Sequence, residues 1–152
     1  MEIVRFNRVN KGEYKKFIRK YNNVPEFNIL NISNFNVGEK EIFLVIEKGL
    51  IKKYKILAYS IIEKDLKYLY IANSISEKYK NDGTVILISD FMVKKRLRRN
   101  GIGTKFAKYI IEEIFVDKNI ILQPDGDGYY FWKKFKFESD NISEKETWKI
   151  KR

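Results

Sequence analysis

The sequence predicts a single α/β (α+β) domain built around a central sheet, and three features carry that reading. Two β-branched and aromatic runs, Glu41 to Ile46 and Tyr54 to Ile62, are separated by Gly49 and a lysine-rich stretch, as an antiparallel pair would be. Thr84 to Val93 follows the turn signal Asn81-Asp82-Gly83, and its run Val85-Ile86-Leu87-Ile88 is apolar throughout, as a strand covered on both faces requires. From Gly103 the period changes. Ile102, Phe106, Ile110 and Ile114 recur every three to four residues beside Ala107 and Ile111, so an apolar stripe packs a helix ending near Phe115 onto the sheet.

The remaining elements fall in place around these. Glu2 to Phe6 alternates as a short strand, Glu13 to Tyr21 places Tyr14, Phe17 and Ile18 at helical spacing, and the segment after Pro25 holds another short helix. Leu66 to Ala72 extends the antiparallel pair. Ile120 to Leu122 is a short apolar strand, Pro124 to Gly128 a turn, Tyr129 to Phe135 a helical turn or two, and Thr147 to Ile150 a last alternating strand. There is no internal repeat, low-complexity tract or Pro/Gly/Ser-rich linker, so residues 1–152 are read as one domain.

A chain of 152 residues with 44% hydrophobic content can bury a core without staples. It has no cysteine and no histidine. Disulfides, thiol nucleophiles, His-ligated zinc and a Ser-His-Asp triad are therefore excluded, and any proton transfer falls to carboxylate, tyrosine, lysine, backbone or water. The start Met1-Glu2-Ile3-Val4-Arg5-Phe6 alternates instead of forming a leader, and no apolar run is long enough to span a bilayer, so a cytoplasmic protein away from membranes is expected. Lysine and arginine number 31 against 20 acidic residues, a formal charge of +11. That field favours anionic ligands, while the abundance of lysine, asparagine and isoleucine throughout fits codon bias equally well.

Residues 89 to 106 form one device: a buried strand stops at Val93, a loop with Gly101 and Gly103 follows, and an amphipathic helix begins at once. The first turn of a helix has backbone N–H groups without intrahelical partners and a positive dipole end, so it accepts a phosphate. The two glycines let that backbone approach closely, Thr104 adds a hydroxyl, and Lys94, Lys95, Arg96, Arg98 and Arg99 surround the site with positive charge. A tight strand-to-helix turn with a solvated basic face is the plainer reading of a lone Gly-x-Gly.

The motif is not alone. Phe91-Met92-Val93-Lys94-Lys95-Arg96-Leu97-Arg98-Arg99-Asn100-Gly101-Ile102-Gly103-Thr104-Lys105-Phe106 resembles motif A of the GNAT superfamily of acyltransferases, whose core Arg/Gln-x-x-Gly-x-Gly/Ala is matched by Arg98, Gly101 and Gly103. Downstream, Gly128-Tyr129-Tyr130-Phe131-Trp132-Lys133-Lys134-Phe135-Lys136-Phe137 resembles that family's motif B, Ala-x-x-Phe-Tyr-x-Lys-x-Gly-Phe, with Phe131, Lys134 and Phe137 matching. Gly128 replaces the alanine, Lys136 the glycine, Asp125 stands where asparagine is common, and Trp132 occupies the tyrosine position. Rossmann and P-loop readings fail, since neither the third glycine with its acidic partner nor a Gly-Lys-Ser/Thr is present.

The resemblance implies a mixed, mostly antiparallel, twisted sheet flanked by helices, with its fourth and fifth strands splayed around a cofactor arm. It implies acetyl-CoA as co-substrate, with Phe91, Met92, Val93 and Asp125 among its binding residues, the pantetheine between Thr84 to Val93 and Ile120 to Leu122, and the pyrophosphate on the amides of Arg98, Arg99, Asn100, Gly101, Ile102, Gly103 and Thr104. The thioester carbonyl is then expected near the N–H of Met92 or Val93, where backbone donors stabilise a developing oxyanion. An unidentified amine attacks directly. Asp90 either takes its proton or serves as a structural hydrogen-bond partner. The family's tyrosine is thought to protonate the leaving thiolate, and the Trp132 indole is far too weak an acid for that. Tyr129 and Tyr130 are the candidates instead, with core packing as the alternative for both.

The reading is therefore an acetyl-CoA-dependent N-acetyltransferase. A CoA-binding module of the same fold without catalysis, and a basic nucleic-acid-binding protein, stand beside it. Nucleic acid enters the leading reading only as an acceptor such as aminoacyl-tRNA, and family members often dimerise, so a homodimer is one expectation. No metal is expected.

Overall fold

The computed structural model describes residues 1–32, 39–49, 53–67, 69 and 74–150. Among the described residues seven strands form one sheet: β1 (Glu2–Phe6), β2 (Lys40–Lys48), β3 (Tyr54–Glu63), β4 (Val85–Val93), β5 (Asn119–Leu122), β6 (Phe137–Ser139) and β7 (Trp148–Ile150). Their spatial order is β1-β2-β3-β4-β5-β7-β6. Every neighbouring pair is antiparallel except β4–β5, which is parallel and needs a crossover between them. The crossover is α3 (Ile102–Lys108), continued without a break by a π-helical turn, Tyr109–Ile114, in which the Phe115 N–H donates five residues back to the Ile110 carbonyl at 3.0 Å.

Both faces of the sheet are covered. α3 and α4 (Gly128–Lys133) lie over one, where Phe43, Ile86, Ile88 and Val93 meet Phe106, Ile110 and Trp132. Burying each large side chain of this kind contributes about 1.5–3 kcal/mol. α1 (Lys11–Tyr21) and α2 (Ile29–Ile32) cover part of the other face, with Tyr14 and Ile18 packed on Leu44, Ile46 and Tyr59. The Tyr14 hydroxyl donates to the Leu30 carbonyl at 2.6 Å, which joins the two helices. A third cluster on that face sets Leu66, Ile75 and Tyr79 against Val85 and Leu87. Its loop is tied to the segment joining β6 and β7, because Asp140 accepts from Tyr79 Oη at 3.2 Å and from Ser143 Oγ at 2.6 Å.

The expected α+β architecture is present, with each expected strand and helix at or within a few residues of its place. The exception is Leu66 to Ala72, expected as a strand, most of which lies outside the described residues; Lys67 and Leu69 are in turns. Strand β6 and the π-helical turn had no counterpart in the sequence reading. Among the described residues no helix is long and apolar enough to cross a membrane.

Candidate functional site

The site begins with an irregularity in β4. Ile61 pairs with Asp90 but Ile62 pairs with Ile88, so Ser89 is an extra residue without a partner on β3. Strict alternation from Ile86 and Ile88 would drive Asp90 into the core beneath α3. The bulge hands that position to Phe91 and keeps it for Val93, while Met92 packs with the α1-side cluster. Asp90 thereby faces Lys40 and Glu63 rather than the apolar core. Ser89 Oγ donates to the Ile61 carbonyl at 3.2 Å and holds the bulge closed.

On its other edge β4 loses its partner. The parallel pairing runs from Val85–Asn119 to Ile88–Leu122, where β5 ends ahead of Gln123 and Pro124. β4 continues for the five residues 89–93, which among the described residues have no β5 partner, and so the two strands part at the point where the bulge sits. An unpaired strand edge of this kind offers main-chain donors and acceptors to an extended ligand.

The loop at the mouth of this split is shaped locally. The Lys95 N–H donates to Glu26 Oε1 at 2.8 Å, pinning a short 3-10 turn (Lys95–Leu97) against the segment before α2. Arg98 folds back on the strand end, its Nε donating to the Val93 carbonyl at 3.1 Å. Arg99 and Gly101 both have positive φ, 68° and 77°, on either side of Asn100. Gly101 is the N-cap of α3, and among the described residues no side chain caps that helix, so the first-turn amides of residues 102–104 have no side-chain acceptor there. Gly103 is bare for a different reason: a Cβ there would lie 3.2 Å from Val93 Cγ2 and 3.5 Å from Phe131 Cε2, so it sets how closely α3 packs on β4 and α4. Thr104 and Ile102 are half-buried beside it.

Asp90 has the most informative electrostatics. Burial pushes its carboxyl up to about 6; Lys40 opposes that rise, while the carboxylates of Glu63 and Asp125 reinforce it. Asp125 thus reaches it electrostatically from the β5 side of the split. Glu63 is also raised by burial, against the pull of Lys40 at 3.0 Å and a hydrogen bond from Ser89. Burial, with Asp90 second, holds the Tyr59 phenol above its usual range. Lys40, Glu63 and Tyr59 had escaped the sequence reading, because the β3–β4 register, bulge included, brings Glu63 and Tyr59 to Asp90, and the β2–β3 register sets Lys40 opposite Glu63.

The aromatic residues of α4 divide. Trp132 is buried, its ring 5.0 Å from Phe91 and 4.8 Å from Phe131. Tyr129 turns towards β7: its ring lies 5.4 Å from Trp148 and its hydroxyl donates to Glu146 Oε2 at 2.7 Å, a bond that holds the phenol above its usual range. Tyr130 is 77% exposed. Phe91, Met92, Val93, Arg98 and Gly103 are therefore gathered at the split, Asp90 feels the Asp125 carboxylate only as the weakest of its electrostatic influences, and Tyr130 stands out in solvent.

No protein-family model matches the sequence, and no curated protein matches it significantly. Solved structures do match. An acyl-CoA N-acyltransferase from Pseudomonas aeruginosa has a TM-score of 0.57 at 11% identity, covering 99% of this chain and 100% of that one. An acetyltransferase of the GNAT family from Staphylococcus aureus Mu50 has a TM-score of 0.52 at 16% identity, over 98% and 97% of the two chains. The chain has the GNAT fold. A further match, described as AtaTR bound with AcCoA, has a TM-score of 0.56 at 9% identity, over 98% and 92%. The fold expected from the two motifs is thereby established on coordinates.

Proposed function

We propose that this chain is an acetyl-CoA-dependent N-acetyltransferase that acts on an amine by direct attack. The observation that carries the proposal is the parting of β4 and β5 beside a glycine-bared helix start that no side chain caps. The residues present suit acetyl-CoA. The Arg98 N–H donates to the Lys95 carbonyl at 3.2 Å and is not the free donor expected, so the amides of residues 99–104, with the Arg98, Arg99 and Thr104 side chains around them, hold its pyrophosphate, and the free edge of β4 pairs with its pantetheine beside Phe91, Met92 and Val93. Bound there, acetyl-CoA supplies an activated acyl group whose thioester carbonyl accepts from the Met92 or Val93 N–H.

Asp90 is assigned as the proton acceptor. Its carboxyl, raised to about 6, is mostly ionised at neutral pH yet a stronger base than an ordinary aspartate. As the amine nitrogen forms its bond to the acyl carbon, Asp90 takes the proton that the nitrogen must lose, and the carbon–sulfur bond breaks to release the thiolate. Trp132 supplies no proton, and the Tyr129 phenol is both weakened and engaged by Glu146, so we assign departure as the free thiolate. Tyr129 and Tyr130 act as acids in this scheme only if α4 shifts.

A second reading, a CoA-binding module without chemistry, is favoured by Trp132 alone. Thiol release from acetyl-CoA, measured against amino acids, peptides, aminoglycosides, polyamines and aminoacyl-tRNA, separates the two. Turnover with at least one amine, lost in Asp90→Asn, is the expected result; binding of acetyl-CoA with no amine-dependent release across that panel would leave only the module.

A further inference from the structure

At the far end of the crossover helix from the glycine loop, an open cavity of about 420 Å³ lies between the π-helical turn and the turn at residues 134–136. Its volume is within the roughly 300–1,000 Å³ typical of small-molecule sites. The floor is apolar, formed by Ile111 and Phe135, both buried in the core beneath. The rim is cationic: Lys108, Lys134 and Lys136 stand around it, and Glu112 is the single carboxylate among the lining residues.

Two backbone features meet at this place and nowhere near the glycine loop. The crossover helix widens to π geometry over Tyr109–Ile114, a form rare in proteins and frequent at functional sites. Across the cavity, Lys136 has φ 60°, the left-handed region that glycine occupies without cost, at the position where motif B has glycine. Lys136 is exposed, so core packing does not explain a lysine there. The strained residue and the widened helix share one consequence: each side of the same space contributes a lysine and an apolar floor residue, Lys108 and Ile111 from the helix and Lys136 and Phe135 from the turn.

We propose that this cavity is a second binding site, separate from the β4–β5 split, for an anionic amphipath: an apolar body against Ile111 and Phe135, with its carboxylate among Lys108, Lys134 and Lys136. Charge and apolar surface are both needed, because three ammonium groups over a greasy floor match neither a bare anion nor a neutral chain. The site does not depend on the acetyltransferase reading.

Calorimetric titration with decanoate tests it, with decanol and acetate as the neutral and the short-chain comparisons. Saturable decanoate binding is expected at one site, at least about tenfold tighter than either comparison and unchanged by saturating acetyl-CoA. Lys136→Gly should weaken it by about fivefold or more while leaving the fold intact, since glycine suits the left-handed backbone; Lys108→Ala should do the same from the other side of the cavity. Equal binding of decanol, retention of affinity in both variants, or displacement by acetyl-CoA would each overturn the proposal, the last by giving the lysines to the thioester carrier.

Discussion

Asp90 costs the fold something. Its folded-state carboxyl is raised to about 6 from 3.8, so between those values the native state binds more protons than the unfolded chain, and stability falls as pH rises through that window. Asp90→Asn removes the penalty. After discount for partial exposure, we expect about 1 kcal/mol of added stability at pH 7–8, a rise of about 2–4 °C in Tm, and little change at pH 4. Activity should move the opposite way. Turnover is expected to fall by about 100-fold or more, and the wild-type rate should rise with pH through an apparent pKa near 6; an unchanged rate would remove Asp90 from the chemistry. By contrast, Tyr129→Phe should keep the rate within about threefold, because its hydroxyl serves Glu146. A loss comparable to that of Asp90→Asn would instead make Tyr129 the acid. The two glycines should also separate. Gly101→Ala is strained by its φ of 77° with free space around it, at about 1 kcal/mol, so Gly101→Asn should be better tolerated. Gly103→Ala pushes on Val93 and Phe131, so asparagine there should be worse than alanine.

At the scale of elements, the bulge in β4 decides which face Asp90 occupies. Deleting Ser89 should remove the bulge yet keep every facing, since Asp90 then follows Ile88 directly and still points away from α3, so urea unfolding should show a loss of only about 1–2 kcal/mol; a loss of about 4 kcal/mol or more would show that β4 had changed faces or lost its register. This is also where sequence reading reached its limit. Val85-Ile86-Leu87-Ile88 and the Ile102–Phe106–Ile110 stripe are legible because period and composition are local properties. A bulge depends on how β4 registers against β3, and Lys40 is reached only through the further register of β2 on β3, so Lys40, Glu63 and Tyr59 could not be assigned to Asp90 from the sequence. The π-helical turn was invisible too, since Tyr109-Ile110-Ile111 suits either helical period over so short a run. β6 was missed because three residues, Phe137–Ser139, are too few to alternate. The glycine loop was legible because Gly101 answers a backbone requirement that few other residues meet.

Across the whole molecule, the formal charge of +11 and the exposed Lys95, Arg96, Arg98 and Arg99 near the split place a polyphosphate ligand in a positive field. Acetyl-CoA affinity should therefore weaken as salt is raised from about 0.05 to 0.5 M, as field-assisted binding does when screened. The same fold positions the loop through Glu26 and the helix through Gly103, so the site is a property of the packed domain rather than of the motif alone. Titration calorimetry of acetyl-CoA against the wild-type chain and Gly101→Glu, with folding of the variant checked by circular dichroism, addresses the central claim most directly. Saturable binding that the folded variant loses by about 30-fold or more is the expected result; equal affinity in both proteins would contradict the claim that the bared amides at the start of α3 hold the cofactor.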